Sequence, residues 1–252
     1  MKIKDVAVGQ TYRNRQGAEC VITAVISSLD VRIKFLDEFG FERSIQAGAL
    51  SSGYFRNPYF PAVSGIGYKG VGRFKSGGSR SEVPEYSVWS RMLVRCYSAS
   101  YHKAQPTYAG CTVRESWHNY QVFAEWLTAQ PSWGRKGFEL DKDLIILGNK
   151  EYGPDTCSLV PGSINCLIAT RKRKNSSPLG ACFNEEKQKY TAFCMDGYGK
   201  NKFLGAFNSA GEAFSVYKAF KESVIRRAAE EFRQDIDPRV FKTLINYEVL
   251  PE

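Results

Sequence analysis

Residues 138 to 165, FELDKDLIILGNKEYGPDTCSLVPGSIN, constrain the fold of this chain more than any other stretch. An apolar beginning, a polar middle closed by Tyr152-Gly153-Pro154 and a second apolar run predict two short strands joined by a loop. A helix is then predicted to begin near Ser163. The stretch thus predicts a strand–loop–strand–helix unit, whose first strand ends in Asp141-Lys142-Asp143.

Two carboxylates close the first of these strands. Asp141 and Asp143 are two positions apart, so both side chains project from the same face of a strand. Carboxylate oxygens, together with water, suit a hard cation such as Mg²⁺ or Mn²⁺. The alternative is that the two carboxylates form ion pairs with basic side chains at the strand end.

The overall charge indicates a polyanionic partner. The 252 residues include 35 basic and 26 acidic side chains, so the net charge is +9 and the pI is near 9.1. Nucleic acid is the first candidate for such a partner. No apolar run approaches the ~20 residues that a bilayer requires, and the N-terminus MKIKDVAVG lacks the apolar segment of a secretory signal. A cytoplasmic protein without a membrane partner is therefore expected.

Seven cysteines are spread along the chain, and no two have the C-x-x-C spacing of a zinc knuckle. Buried, reduced thiols are therefore expected. The alternative is a structural zinc site formed by Cys96, Cys111, Cys157 and Cys166.

Pattern and turn signals divide the chain into four ranges of an α+β protein. In residues 1–75, alternating β-branched runs at Glu19–Ile26 and Val31–Leu36 predict a small antiparallel β-barrel of the SH3 or Tudor kind. Residues 84–175 contain the strand–loop–strand–helix unit, residues 178–235 a sheet with a helix, and residues 236–252 a short helical tail. The glycine-rich residues 65–74 predict an irregular connector, because the strand-then-helix context of a phosphate-binding loop is missing.

Two amphipathic helices are predicted ahead of the strand–loop–strand–helix unit, and they are expected to brace it. Their apolar positions recur at helical spacing: Tyr86, Trp89, Met92, Leu93 and Cys96 in the first, and Trp117, Tyr120, Phe123, Ala124 and Leu127 in the second. Such stripes are more typical of a core than of a base-stacking surface. His118 lies at the edge of the second stripe and is a candidate general base.

The last third of the chain has the pattern of a three-stranded sheet followed by a helix. Strands are predicted at Gly180–Asn184, Lys189–Met195 and Lys202–Phe207. Ser209 and Glu212 have the spacing of a capping box at the start of the helix. Alternation along the middle strand places one set of side chains against this helix: Tyr190, Ala192 and Cys194.

The strand–loop–strand–helix unit resembles the ββα-metal unit of HNH endonucleases. With Tyr86-x-x-Trp89, Arg95-Cys96-Tyr97 and Trp117 ahead of it, the segment is similar to a phage group classed with HNH homing endonucleases. The resemblance implies phosphodiester hydrolysis, with a cation on the scissile phosphate and a histidine that activates water. Lys142 stands where the family has that histidine. The candidate catalytic residues are Asp141, Lys142, Asp143, Asn165 and, as a replacement base, His118; Asp141, Asp143 and Asn165 are the candidate ligands of Mg²⁺ or Mn²⁺.

The C-terminal segment resembles the ethylene-response-factor (ERF) type of DNA-binding domain. The matching residues are Gly180, Lys189-Tyr190-Thr191-Ala192, Leu204-Gly205-x-Phe207, and Glu212-Ala213 leading to Tyr217. The fold of that family implies a three-stranded sheet in the major groove of duplex DNA, with the helix packed behind it. Phe193 and Met195 stand where the family has arginines. The candidate DNA-binding residues are Arg171, Lys172, Arg173, Lys174, Lys187, Lys189, Thr191, Phe193, Lys200, Asn201, Lys202 and Phe203.

Three functions remain open from the sequence. The first is a phage-type, HNH-like homing endonuclease that cuts duplex DNA with a divalent metal in the cytoplasm of an infected bacterial host. The second is a non-enzymatic DNA-binding protein derived from such a nuclease, for example a repressor or a replication-site binder. The third is a protein-binding inhibitor or adaptor whose basic surface is incidental.

Overall fold

A computed structural model of the chain describes residues 5–77, 83–168 and 178–251. The chain divides into two compact units, residues 1–128 and residues 129–252. Each unit combines helices with small antiparallel sheets. Within the described ranges, no helix has the length and apolar character needed to cross a membrane.

The first unit begins with an antiparallel sheet in the order β1-β2-β3-β4. Its strands are Thr11–Arg13, Glu19–Ser27, Asp30–Phe35 and Glu42–Ile45. Because side chains alternate along β3, Val31, Ile33 and Phe35 are all buried. They form one core with Cys20 and Ile22 of β2.

This sheet is open, so the predicted N-terminal small β-barrel is wrong. The edge strands β1 and β4 have only three and four residues, and they do not pair with each other in the described part of the chain. Helix α1 (Ala47–Ser52) covers the inner face instead and ends at Gly53, whose φ of 67° is left-handed. Ala47, Leu50 and the following Phe55 fill the core. Because these side chains bury the apolar face, the strands need not close on themselves.

The rest of the first unit consists of α2 (Pro84–Tyr97), α3 (Ala99–Ala104), β5 (Thr112–Val113) and α4 (Tyr120–Thr128), with 3-10 turns at Pro106–Tyr108 and Glu115–His118. The predicted aromatic stripes are core. Trp89, Trp117 and Tyr120 are at most 1% exposed. The Trp89 indole N–H donates to the Trp117 carbonyl over 2.8 Å, which satisfies its polar atom inside this core.

The glycine-rich residues 65–74 follow an irregular path along α2 and α4. The Gln121 side chain holds them in place, since its amide donates to the carbonyls of Lys69 and Phe74 and accepts from the Phe74 N–H. At Gly70, whose φ is 68°, a Cβ atom would overlap the amide of Asn119. Glycine is therefore required here for close packing rather than for phosphate binding.

The second unit begins with the predicted strand–loop–strand–helix arrangement. Strand β6 (Phe138–Asp141) pairs antiparallel with β8 (Ser158–Pro161), with Asp141 opposite Ser158. Helix α5 (Gly162–Ile168) follows β8 directly. The loop between β6 and β8 also contains a two-residue strand, β7 (Glu151–Tyr152).

The unit continues with a three-stranded antiparallel sheet in the order β11-β10-β9. The strands are Ala181–Asn184, Lys189–Met195 and Asn201–Phe207 for β9, β10 and β11. Helix α6 (Ala210–Glu231) begins with the predicted capping box between Ser209 and Glu212. Helix α7 (Pro238–Ile245) packs against α6.

Helix α6 contributes to two cores. Its first half packs on the sheet, where Ala213 and Tyr217 meet the side chains of Ala181, Ala192 and Cys194. Its second half packs on the strand–loop–strand–helix arrangement, and that core includes Leu144, Val160, Ile164, Val224, Ile225 and Ala229. Within the second unit, α6 and α7 thus support β6, β8 and α5. Bracing by α2 and α4, which belong to the first unit, stays a prediction.

Candidate functional site

The face of the C-terminal sheet that points away from α6 is uncovered. Directly paired residues of antiparallel strands project from the same side of a sheet. The pairs Phe193–Phe203 and Met195–Asn201 therefore lie together, with Lys189 further along β10. Phe193, Phe203 and Met195 are 43%, 53% and 46% exposed. We call the surface formed by these five residues the open face.

Two phenylalanines form the apolar centre of the open face. The ring centroids of Phe193 and Phe203 are 5.1 Å apart. A β-bulge brings these two phenylalanines opposite each other. The register of β10 and β11 shifts between the pair Ala192–Gly205 and the next pair, Phe193–Phe203. The φ of 141° at Gly205 accommodates the extra residue on β11. The bulge therefore places the aromatic pair on the open face.

Lysines lie at both ends of the strand that crosses the open face. Lys189 begins β10 and is exposed, and Lys200 lies in the turn after β10. Backbone N–H groups of Tyr198 and Lys200 donate to Asp196, which lowers the pKa of that carboxyl and fixes the turn. Lys187 lies in the other turn, beside Glu185 and Glu186.

Two other predicted DNA-binding residues do not contribute an accessible side chain to the open face. Thr191 is only 9% exposed, and its hydroxyl donates to the Cys182 carbonyl over 3.1 Å. Lys202 is paired with Cys194 on the helix side, where its ammonium lies 5.1 Å from the ring centroid of Phe220. The four basic residues of the predicted linker lie outside the described residues: Arg171, Lys172, Arg173 and Lys174.

The carboxylate pair at the end of β6 is bonded to the protein itself. Asp141 Oδ1 accepts from the backbone N–H groups of Asp143 and Leu144, over 3.0 and 2.8 Å, and so closes the turn after the strand. Asp143 Oδ2 accepts from the Lys142 ammonium over 2.9 Å. The alternative of pairing with a neighbouring basic side chain thus holds for Asp143.

The surroundings of Asp141 at this turn disfavour its ionisation, because the carboxyl is largely buried and a second carboxylate lies nearby. Burial and the nearby Asp143 carboxylate raise the pKa of Asp141 to about 6, although the two backbone donors act in the opposite direction. The Lys142 side chain is only 13% exposed, and its carbonyl accepts from the Asn149 amide. Near neutral pH, Asp141 is thus ionised next to a second carboxylate, an arrangement that a divalent cation would relieve.

Two carboxylates give a cation only part of a coordination shell. The hydrogen bonds of the turn already use Asp141 Oδ1 and Asp143 Oδ2, and the two aspartate side chains also form a hydrogen bond with each other. Mg²⁺ commonly keeps several waters and takes one or two carboxylates. Within the described ranges there is no group of three or more His, Cys, Asp or Glu side chains that could bind a metal. Asn165, the third predicted ligand, lies on α5.

The cysteines proposed as an alternative zinc set are divided between the two units. Cys96 and Cys111 belong to the first unit, and Cys157 and Cys166 to the second. Cys157 is buried, and loss of solvation raises the pKa of its thiol to about 12. A thiol in that environment is held protonated, whereas zinc binds the thiolate.

Neither candidate base is free of other interactions. His118 is part of the first unit, and its Nε2 donates to the Val113 carbonyl over 3.0 Å, which leaves Nδ1 as the acceptor of a neutral ring. Lys142 stands at the family's histidine position, and its ammonium donates to the Asp143 carboxylate over 2.9 Å.

The sequence patterns did not indicate a cluster of arginines in the first unit. Arg15, Arg43 and Arg56 come from three separate segments and line one cavity with Tyr54. No local pattern links these positions, because the fold of the sheet and α1 brings them together.

Comparisons of the chain with protein-family models, with curated proteins and with solved structures gave no significant match.

Proposed function

We propose that this chain binds duplex DNA through the open face of the C-terminal sheet. The observation that carries the proposal is an uncovered sheet face with Phe193 and Phe203 at its centre and Lys189 and Lys200 at its ends. Lysines neutralise phosphates and supply most of the affinity, whereas apolar side chains contact thymine methyl groups in the major groove. The resemblance to ERF-type domains supports the same orientation.

Binding without cleavage is the function that the geometry supports best. Asp141, Lys142 and Asp143, at the position of an HNH catalytic centre, already bond to one another and to the turn. These bonds let the turn serve as a rigid scaffold next to the strand–loop–strand–helix core. We therefore favour a DNA-binding protein of the repressor or replication-site type, built on a nuclease-like frame.

Charge reversals on the sheet test this proposal. Lys189→Glu and Lys200→Glu should each weaken binding to duplex DNA and lower the slope of log affinity against log salt by about 1 per lost phosphate contact. The matched control is Lys242→Glu, an exposed lysine on α7 rather than on the sheet. Fluorescence anisotropy with a labelled duplex, at several salt concentrations, measures both quantities. If all three variants bind like the unmodified protein, the open face is not the DNA-binding surface.

Metal-assisted phosphodiester hydrolysis is the second candidate, and the adjacent Asp141 and Asp143 carboxylates favour it. A cation bound there would polarise the scissile phosphate. Nicking of supercoiled plasmid in Mg²⁺ or Mn²⁺ should then be abolished by Asp141→Asn and by Asp143→Asn. Glu139→Gln, which changes an exposed carboxylate on the same strand, is the matched control. Nicking that survives both aspartate variants would rule this site out.

A further inference from the structure

A cationic groove in the first unit is not used by the proposed function. It is a cavity of about 540 Å³ between the turn at residues 14–17 and the segment at residues 53–56. Three arginines and an exposed tyrosine line it: Arg15, Arg43, Arg56 and Tyr54. We call this cavity the arginine groove.

Carbonyl groups, rather than carboxylates, hold the guanidinium groups of the arginine groove. Arg15 Nε donates to the Ser52 carbonyl over 2.9 Å, and Arg43 Nη1 donates to the Arg56 carbonyl over 3.2 Å. In the described part of the chain, neither these two arginines nor Arg56 forms a salt bridge. A carbonyl leaves the positive charge uncompensated, so most guanidinium N–H donors remain for an anionic ligand.

Two carboxylates of the same unit, Glu42 and Asp37, have other partners. Glu42, next to Arg43 on β4, pairs with Lys34 across the sheet over 3.5 Å. Asp37 accepts from the Asn57 amide and from two backbone N–H groups of its own turn. These carboxylates therefore do not neutralise the arginines. Burial, and then the charge of Arg56, lower the pKa of Lys69.

An exposed aromatic ring lies beside the charges. Tyr54 is 71% exposed, and the guanidinium carbon of Arg15 lies 3.8 Å from its ring centroid. The pair combines a cation with a planar surface that still faces solvent. Arginine guanidinium groups and aromatic rings are the surfaces on which proteins stack unpaired bases.

Buried polar side chains fix the two walls of the groove. Asn14 is 5% exposed; its amide donates to the Phe55 carbonyl, and its oxygen accepts from the backbone of Gln16 and Ala18. The Gln16 side chain accepts from the Asn57 N–H over 3.0 Å. These bonds hold the turn against the segment after α1, so a ligand meets a preformed surface and loses less affinity to ordering.

From this juxtaposition we propose that the arginine groove binds single-stranded nucleic acid, with backbone phosphates on Arg15, Arg43 and Arg56 and a base stacked against Tyr54. Guanidinium forks match phosphate and carboxylate alike, but the exposed ring adds a surface that a base uses and an acidic peptide does not. Bases in a duplex are already stacked on their neighbours, so a single strand is the matching ligand. The site lies in a different unit from the open face and does not rest on the DNA-binding role proposed for that face.

The test uses the full chain with Lys189→Glu and Lys200→Glu as a common background, so that the C-terminal sheet contributes little to binding. Affinity for a fluorescent oligothymidylate is measured by anisotropy. Tyr54→Ala should weaken binding roughly 5- to 100-fold, because a stacked base is lost, and Tyr54→Phe should bind like the background. Arg43→Gln with Arg56→Gln should lower the salt slope by about 1.4, since single strands lose roughly 0.7 per phosphate contact.

A matched control removes one positive charge on the other side of the sheet and is compared with Arg43→Gln alone, which should lower the salt slope by about 0.7. Arg32 is exposed and paired with Ser44, next to the buried Ile33, so Arg32→Gln makes the same single change away from the groove. It should leave the affinity and the salt slope of the background unchanged. Tyr54, Arg43 and Arg56 are all exposed, so their variants should retain the thermal unfolding midpoint.

Two results would overturn the proposal. One is equal affinity for oligothymidylate in the background and in its Tyr54→Ala and arginine variants. The other is competition by polyglutamate as strong as by unlabelled oligothymidylate of equal charge, which would identify the ligand as an acidic polypeptide. Failure of the open face would instead appear as unchanged duplex binding in Lys189→Glu and Lys200→Glu alone, so the two failures are distinguishable.

Discussion

Replacing Asp141 by Asn should make the folded protein more stable at neutral pH, although it removes a charged group. Asn keeps an oxygen that accepts the backbone N–H groups of Asp143 and Leu144, which Asp141 Oδ1 accepts now. What the substitution removes is a buried negative charge next to a second carboxylate. That charge opposes folding whenever Asp141 is ionised.

The size of the effect follows from the pKa of Asp141. Its ordinary value is 3.8, and burial with the Asp143 charge raises it to about 6 in the folded protein. Between these values the folded protein binds more protons than the unfolded chain, so stability falls as pH rises from about 4 to about 6. One pKa unit corresponds to about 1.4 kcal/mol, so the loss is roughly 3 kcal/mol at full burial, and about 2 after solvent screening.

Urea unfolding, followed by tryptophan fluorescence, measures this loss. The difference in free energy of unfolding between Asp141→Asn and the unmodified protein should grow by roughly 2–3 kcal/mol from pH 4 to pH 7 and then stay constant. Glu139→Gln, which removes an exposed carboxylate from the same strand, is the control variant. If the carboxylate pair binds Mg²⁺, addition of the cation at pH 7 should stabilise the unmodified protein and so reduce the difference in free energy of unfolding between it and Asp141→Asn. A gap that is equal at pH 4 and pH 7 would show that the Asp141 charge does not oppose folding.

Further substitutions test the packing of the second unit, and chemical unfolding measures each. Gly180→Ala should destabilise the fold by roughly 2–4 kcal/mol, because its φ is +80° and a Cβ atom would overlap the Tyr217 ring. Ser209→Ala should cost about 1 kcal/mol through loss of the capping box on α6. Burial alone would raise the pKa of Glu222, but hydrogen bonds, including one from the Val249 N–H, and nearby positive charges outweigh it and lower that pKa. Stability from Glu222 is thus present above pH 4.5 and lost on acidification, so Glu222→Gln should be more destabilising at pH 7 than at pH 3.

Alternation was sufficient to predict the C-terminal sheet. The three strands were placed within one residue of their ends, because one face of each strand is buried against α6 and the other is not. The capping box correctly located the start of α6, because its two residues are close together in the sequence and form it without any other part of the chain. Helix α1 was missed, because its six residues include a glycine and its burial depends on the sheet below it. The predicted barrel was wrong, because an alternating pattern indicates which strands lie side by side and does not indicate whether the sheet closes into a barrel.

Prediction of the candidate site met a similar limit. Spacing placed Asp141 and Asp143 at a strand end, but only the structure shows that the turn itself uses one oxygen of Asp141 and that Lys142 bonds to Asp143. Lys202 was selected for its charge, whereas the structure places it on the helix side, above Phe220. The arginine groove gave no signal at all, because its residues are close only after folding.

Helix α6 has a consequence for any attempt to use the C-terminal sheet as a portable DNA-binding module. A fragment that starts at residue 178 would keep the contacts of Ala213 and Tyr217 but would remove Leu144, Val160, Ile164 and Leu167 from the core around Val224 and Ile225. Part of that core would then face water, and the isolated piece would tend to aggregate. Transfer of the C-terminal sheet to another protein as a DNA-binding module therefore requires the whole second unit, from residue 129 onward.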